Sequence, residues 1–147
     1  MSIKRIGSLV AGVEAGAIYL PVDSLTIVKD TLLMADRSNN VLVAATSAAA
    51  TTNTLWLARE TITTADTQIK VEPVQANDLY EVDCTNETAS TQVLERMVLT
   101  DSATVNNTGT DSALNEGIFE ALIVKGVASA KKLIGRFLVL GQDADVS

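Results

Sequence analysis

The stretch "ANDLYEVDC", residues 76–84, sets turn formers before a strict alternation of apolar and charged side chains. A period of two puts Tyr80, Val82 and Cys84 on one face and Glu81 and Asp83 on the other. That is the pattern of a strand with one face buried. It recurs along the chain as short apolar runs, broken by turn residues about every ten positions. "AIYLPV" (17–22) and "LTIV" (25–28) flank a turn at Asp23-Ser24, and "TLLMAD" (31–36) and "VLVAA" (41–45) read as a hairpin across "RSNN". "LWLARE" (55–60) and "TQIKVEPV" (67–74) follow, the second with Ile69 and Val71 inward and Lys70 and Glu72 outward. "MVLT" (97–100) is extended, and "GIFEALIVKG" (117–126) and "KKLIGRFLVL" (131–140) are two strands joined by "VASA". Pro21 lacks a backbone donor and belongs at a sheet edge or a strand end. Asn86 is placed to N-cap one short helix over "ETASTQVLER" (87–96). "TSAAATTNT" (46–54) reads as a loop, because its four Thr dilute the helix-forming Ala.

This punctuation predicts an all-β fold, a small β-barrel or β-sandwich with one short helix. The 147 residues suit one domain. The expected division is an N-terminal arm (1–16), a barrel or sandwich domain (17–141) and a flexible tail (142–147). "MSIKRIGSLVAGVEAG" puts Lys4 and Arg5 before an apolar stretch, but Glu14 interrupts it and no cleavage site follows. It reads as a mature N-terminal segment, either an arm or the first strand of the barrel. No run is long and apolar enough to form a membrane-spanning helix.

Hydrophobic residues make up 47% of the chain and aromatic residues only 3%, so Val, Thr and Ala fill the strand positions. The net charge of −7 disfavours nucleic acid and anionic membranes as partners. Cys84 stands alone, which excludes an intrachain disulfide, and its place in the alternation makes it a buried thiol. The chain has no histidine. Ser-His-Asp and Cys-His nucleophiles, and zinc sites built on His or several Cys, are therefore excluded. No phosphate-cradling glycine motif is present, the glycines of "GSLVAG" (7–12) lacking the Lys-Ser/Thr that would follow. A hydrolase built on two carboxylates stays formally open, but the carboxylates sit beside turns or alternate along strands.

Four groups of residues call for comment. Asp78, Glu81, Asp83 and Glu87 form an acidic cluster that Ca²⁺ could use, but the EF-hand pattern is absent and an exposed strand face is the favoured reading. Asp101, Asp111 and Glu116 flank a polar segment, where turn hydrogen bonding is favoured over a metal. Asn86-Glu87-Thr88 and Asn106-Asn107-Thr108 are formal glycosylation triplets, of a kind that chance supplies in so Thr-rich a chain. Lys125, Lys131, Lys132 and Arg136 gather four of the eleven basic residues, either as a patch for an acidic partner or as solvated strand ends. "LTDSATVNNTGTD" (99–111) reads as short extended pieces with tight connections. No residue is assigned to catalysis, to a metal or to a cofactor.

"YEVDCTNETAS", "LTDSATVNNT" and "KKLIGRF", within a run from about residue 71 to residue 139, resemble the head decoration (capsid cement) proteins of tailed bacteriophages. The resemblance implies a small β-barrel or sandwich that binds the outer surface of an icosahedral capsid and stabilises it. The implied partner is the major capsid protein, with homo-oligomerisation, a trimer favoured, and an N-terminal arm reaching neighbouring subunits. The implied location is the virion's outer capsid surface, after synthesis in the bacterial host cytoplasm. Neither an enzyme nor a cofactor is implied. The alternatives are another virion module (head fibre, tail or baseplate domain) and a Ca²⁺- or carbohydrate-binding β-sandwich, which the scarcity of aromatic rings counts against.

Overall fold

The structure is a computed structural model that describes residues 1–8, 16–49, 53–108 and 117–138. Among them twelve strands form two sheets. In chain order they are β1 (Ile3–Ser8), β2 (Ile18–Pro21), β3 (Leu32–Asp36), β4 (Val41–Ala44), β5 (Leu55–Ala58), β6 (Gln68–Pro73), β7 (Asp78–Cys84), β8 (Arg96–Met97), β9 (Leu99–Asp101), β10 (Thr104–Val105), β11 (Phe119–Lys125) and β12 (Lys132–Phe137).

The seven-stranded sheet runs β8-β11-β12-β7-β10-β9, with β1 also paired to β7. Its two ends, β8 and β9, are separated in the chain only by Val98, so the sheet comes almost full circle. Near-closure leaves little free edge. The five-stranded sheet runs β2-β6-β5-β3-β4, and a parallel bridge between Val22 and Leu42 brings its two edges together. The fold is thus all-β, a nearly closed, barrel-like sheet with a second sheet packed on it.

Alternation along β3 and β5 explains how the sheets join. Leu32, Leu55 and Leu57 point to the large core shared with Ile3, Tyr80, Val82, Phe119, Leu133 and Phe137. Leu33 and Ala58 point the other way, into a second core with Val22, Ile27, Leu42, Ile62, Ile69 and Val71. The middle of the five-stranded sheet is therefore buried on both faces, which is why its strands read as continuous apolar runs. The large core is fastened by rings: Tyr80 meets Phe137 edge-on at 5.3 Å, and Phe119 lies 5.1 Å from Phe137.

Several expectations hold in detail. The hairpins over 31–45 and 117–140 are β3–β4 and β11–β12, although Val139 and Leu140 lie outside the described residues. Tyr80, Val82 and Cys84 are fully buried on one face of β7. Pro21 ends β2, the edge strand of its sheet.

Others need correction. The helix expected over 87–96 is a single 3-10 turn at Ser90–Gln92. Leu94 then takes φ +71° and gives its N–H to Ala121 O, while Arg96 already belongs to β8. Sheet pairing at β11 outcompetes an isolated turn of middling helix formers. Asn86 caps nothing helical; its backbone is held by the Asn107 side chain. "LTIV" contributes only the bridge of Ile27 to Ile62. Glu72, expected outward, is 7% exposed, because it stands opposite Leu57 on the sheet face that the large core covers, 3.7 Å from Arg59. Of the two readings of the N-terminus, Ile3–Ser8 shows the strand: β1 pairs antiparallel with β7, and Ile3 is fully buried. Residues 9–15 of the expected arm and the expected tail (142–147) lie outside the described residues.

Candidate functional site

The second core is open at one end. Beside Leu20, Leu42 and Trp56 lies a cavity of about 270 Å³, lined from β2, β3, β4 and β5. Pro21, Ala35, Val41 and Thr54 complete its walls. Its rim is the tight β3–β4 turn, which carries Asp36, Arg37 and Asn40. Asn40 closes that turn at φ +57°, a conformation Asn tolerates better than most residues. Asp36 is tied into the turn: Oδ1 accepts from the Ser38 N–H at 3.0 Å and Oδ2 from Asn39 Nδ2 at 2.8 Å. The Asn39 bond, with the backbone donors, holds this carboxyl below its usual range. The pocket is thus mainly apolar, with Thr54 in its wall and the charged groups at its mouth, the common form of a small-ligand site.

The acidic residues singled out in the sequence do not converge. Asp78 is fully buried and meets Arg5 through two contacts, Nε–Oδ2 at 3.0 Å and Nη2–Oδ1 at 3.1 Å. The hydrogen bond to Asp78 outweighs burial and raises the Arg5 guanidinium. Glu81 pairs with Lys125, and Asp83 with Lys132 at 2.7 Å. Burial pushes the Asp83 carboxyl up, but Lys132, the Ser2 N–H and the chain's amino terminus together bring it below the usual value. Glu87 is exposed. Among the described residues no group of three or more acidic or Cys side chains could hold a metal ion.

The basic group is likewise not a free patch. Lys125 and Lys132 make the pairs just described, Arg136 reaches Glu120 at 2.9 Å, and Lys131 occupies the left-handed C-cap position of the β11–β12 turn. Lys125 and Lys132 are solvated strand ends, the last residue of β11 and the first of β12, but each also meets an acid: Asp83 lies opposite Lys132, Glu120 lies opposite Arg136, and Lys125 reaches across β12 to Glu81 on β7. Asp101 caps a turn through Ala103 N–H, while Asp111 and Glu116 lie outside the described residues. Cys84 is buried, and burial first, then Asp83, pushes its thiol up to about 12. Such a thiol is a core side chain and not a nucleophile.

Within the second glycosylation triplet, the middle residue, Asn107, is a structural clamp. Asn107 is 6% exposed; its Oδ1 accepts from Asn86 N–H at 2.9 Å, and its Nδ2 donates to Asn86 O at 2.9 Å and Glu87 O at 3.1 Å. It ties the end of β10 to the loop that follows β7. Within "LTDSATVNNTGTD" the described part, 99–108, forms β9, a turn and β10, as expected of short extended pieces.

Sequence reasoning missed the pocket. Its lining comes from four strands distant in the chain, and Trp56, the chain's one tryptophan, was the available signal. Comparison of this chain with family models, with curated proteins and with solved structures found no match.

Proposed function

We propose that this chain is a structural virion protein: it binds the outer surface of an icosahedral phage capsid and stabilises it, without catalysing a reaction. Its partner in this reading is the major capsid protein, and it acts as a homo-oligomer, with a trimer favoured. The resemblance of residues 71–139 to capsid decoration proteins supplies the class. The observation that carries it furthest is the outward face of the seven-stranded sheet. Ile123 on β11 stands 51% exposed opposite Ile134 on β12, which in turn lies opposite Glu81 on β7. Around this apolar centre the charges neutralise one another as Glu120–Arg136, Glu81–Lys125 and Asp83–Lys132. An apolar centre within a rim of paired charges is the make-up of an adhesive protein surface. It needs no metal, cofactor or acid–base pair.

The test is direct. Purified protein is mixed with expanded capsids that lack their decoration protein, and both co-sedimentation and the temperature of capsid disruption are measured. Binding with a raised disruption temperature is expected, and Ile123→Glu should weaken both. Sedimentation of the protein alone gives its oligomeric state. Absence of binding together with an unchanged disruption temperature would refute the reading.

A further inference from the structure

We propose that the open end of the second core is a binding site for a small organic acid with an apolar body. The site stands on its own residues and does not depend on the capsid reading. Its size comes first: about 270 Å³ lies just below the usual range of ligand pockets and fits one ring or a short alkyl chain. Its walls come second. Leu20, Leu42 and Trp56 belong to or pack on the second core, so the inner surface is apolar and offers water few partners. An apolar body displaces such water favourably.

The head group follows from what the rim leaves unused. Asp36 is held by its own turn, each oxygen accepting one hydrogen bond, from Ser38 and Asn39. Arg37, beside it, is exposed, and its guanidinium makes no ion pair or hydrogen bond among the described residues. A guanidinium offers five donors in a planar fork that matches a carboxylate. The donors of Arg37 at the mouth call for an acceptor, and an acidic head group that meets Arg37 beside an apolar body satisfies both parts of the pocket.

Trp56 makes the experiment specific, since it is the one tryptophan of the chain and lines the cavity. Its emission is followed while phenylacetate and octanoate, and separately phenethylamine and octylamine, are titrated into the full chain. The acids should give a saturable change with half-saturation at or below about 1 mM. The amines should bind at least about tenfold more weakly. Arg37→Gln should bring acids and amines to equal affinity. Ala35→Phe, at an exposed wall position, should fill the cavity and abolish the response while circular dichroism stays native; Ala35→Leu serves if the larger residue disturbs folding. No saturable response to either acid, a response that survives the filled pocket, or amines binding as tightly as acids would each overturn the assignment. Loss of capsid binding would leave it intact, and failure here would leave the capsid reading intact.

Discussion

At the scale of single residues, the charged side chains of this protein act mainly as fasteners. Asp83 illustrates it. Its carboxylate accepts from Lys132 Nζ and from the Ser2 N–H at 2.8 Å, so it ties β12 and the start of the chain to β7. Burial opposes ionisation, but these donors outweigh it and the folded carboxyl lies below its ordinary value of 3.8. The sign follows from linkage. A carboxyl depressed in the folded state stabilises the fold above its unfolded value, and that contribution disappears as pH falls through the folded value. The window therefore lies below about pH 4. Asp83→Asn should lower the melting temperature at neutral pH, and the gap to the parent protein should close as the pH is taken down through that window. Thermal denaturation across a pH series checks this, and a gap that persists undiminished at the acid end would contradict it.

At the scale of elements, the β11–β12 hairpin is the tightest joint. A β-bulge lies between Ala121 and Ile123, and Gly135 sits opposite Ala121. A Cβ at Gly135 would lie 2.1 Å from Glu120 O and 2.6 Å from the Phe119 ring. Neither neighbour can yield, since one is sheet backbone and the other is packed against Phe137. Gly135→Ala should therefore cost about 3 kcal/mol of stability. The half-buried Ile134→Ala next to it should cost less than about 1.5 kcal/mol, being only partly removed from water. Urea titration of both variants tests the contrast, and similar costs would argue against a backbone clash. The N-terminal strand is a second joint. Ile3 in the large core and the Arg5–Asp78 ion pair fix β1 on β7, so removing the first residues would expose core as well as a strand edge.

At the scale of the whole molecule, the two cores are not independent. Leu32 and Leu33 are neighbours on one strand yet belong to different cores, as do Leu57 and Ala58. Neither core can dissolve without releasing strands that the other needs. The chain should unfold in one step, with Trp56 emission and far-ultraviolet circular dichroism giving coincident transitions. Leu33→Ala in the second core and Leu133→Ala in the first should each lower that single transition by about 2–5 kcal/mol. Two separated transitions in either variant would show that the cores are separable.

The local pattern was enough to reveal the all-β class, both hairpins, the edge position of Pro21 and the buried face of β7, because period-two alternation and turn chemistry are properties of neighbouring residues. The burial of Cys84 came from the same alternation. Tertiary structure decided the rest. The 87–96 segment lost its helix to pairing with β11, a partner some thirty residues away. Glu72 and Asp78 went inside because of where their strands meet the core, and Lys125, Lys132 and Arg136 were neutralised by the register of distant strands. The pocket at Trp56 is lined by four strands of a sheet whose two edges a bridge between Val22 and Leu42 brings together. These outcomes depend on which strands lie side by side, and no window of consecutive residues carries that information.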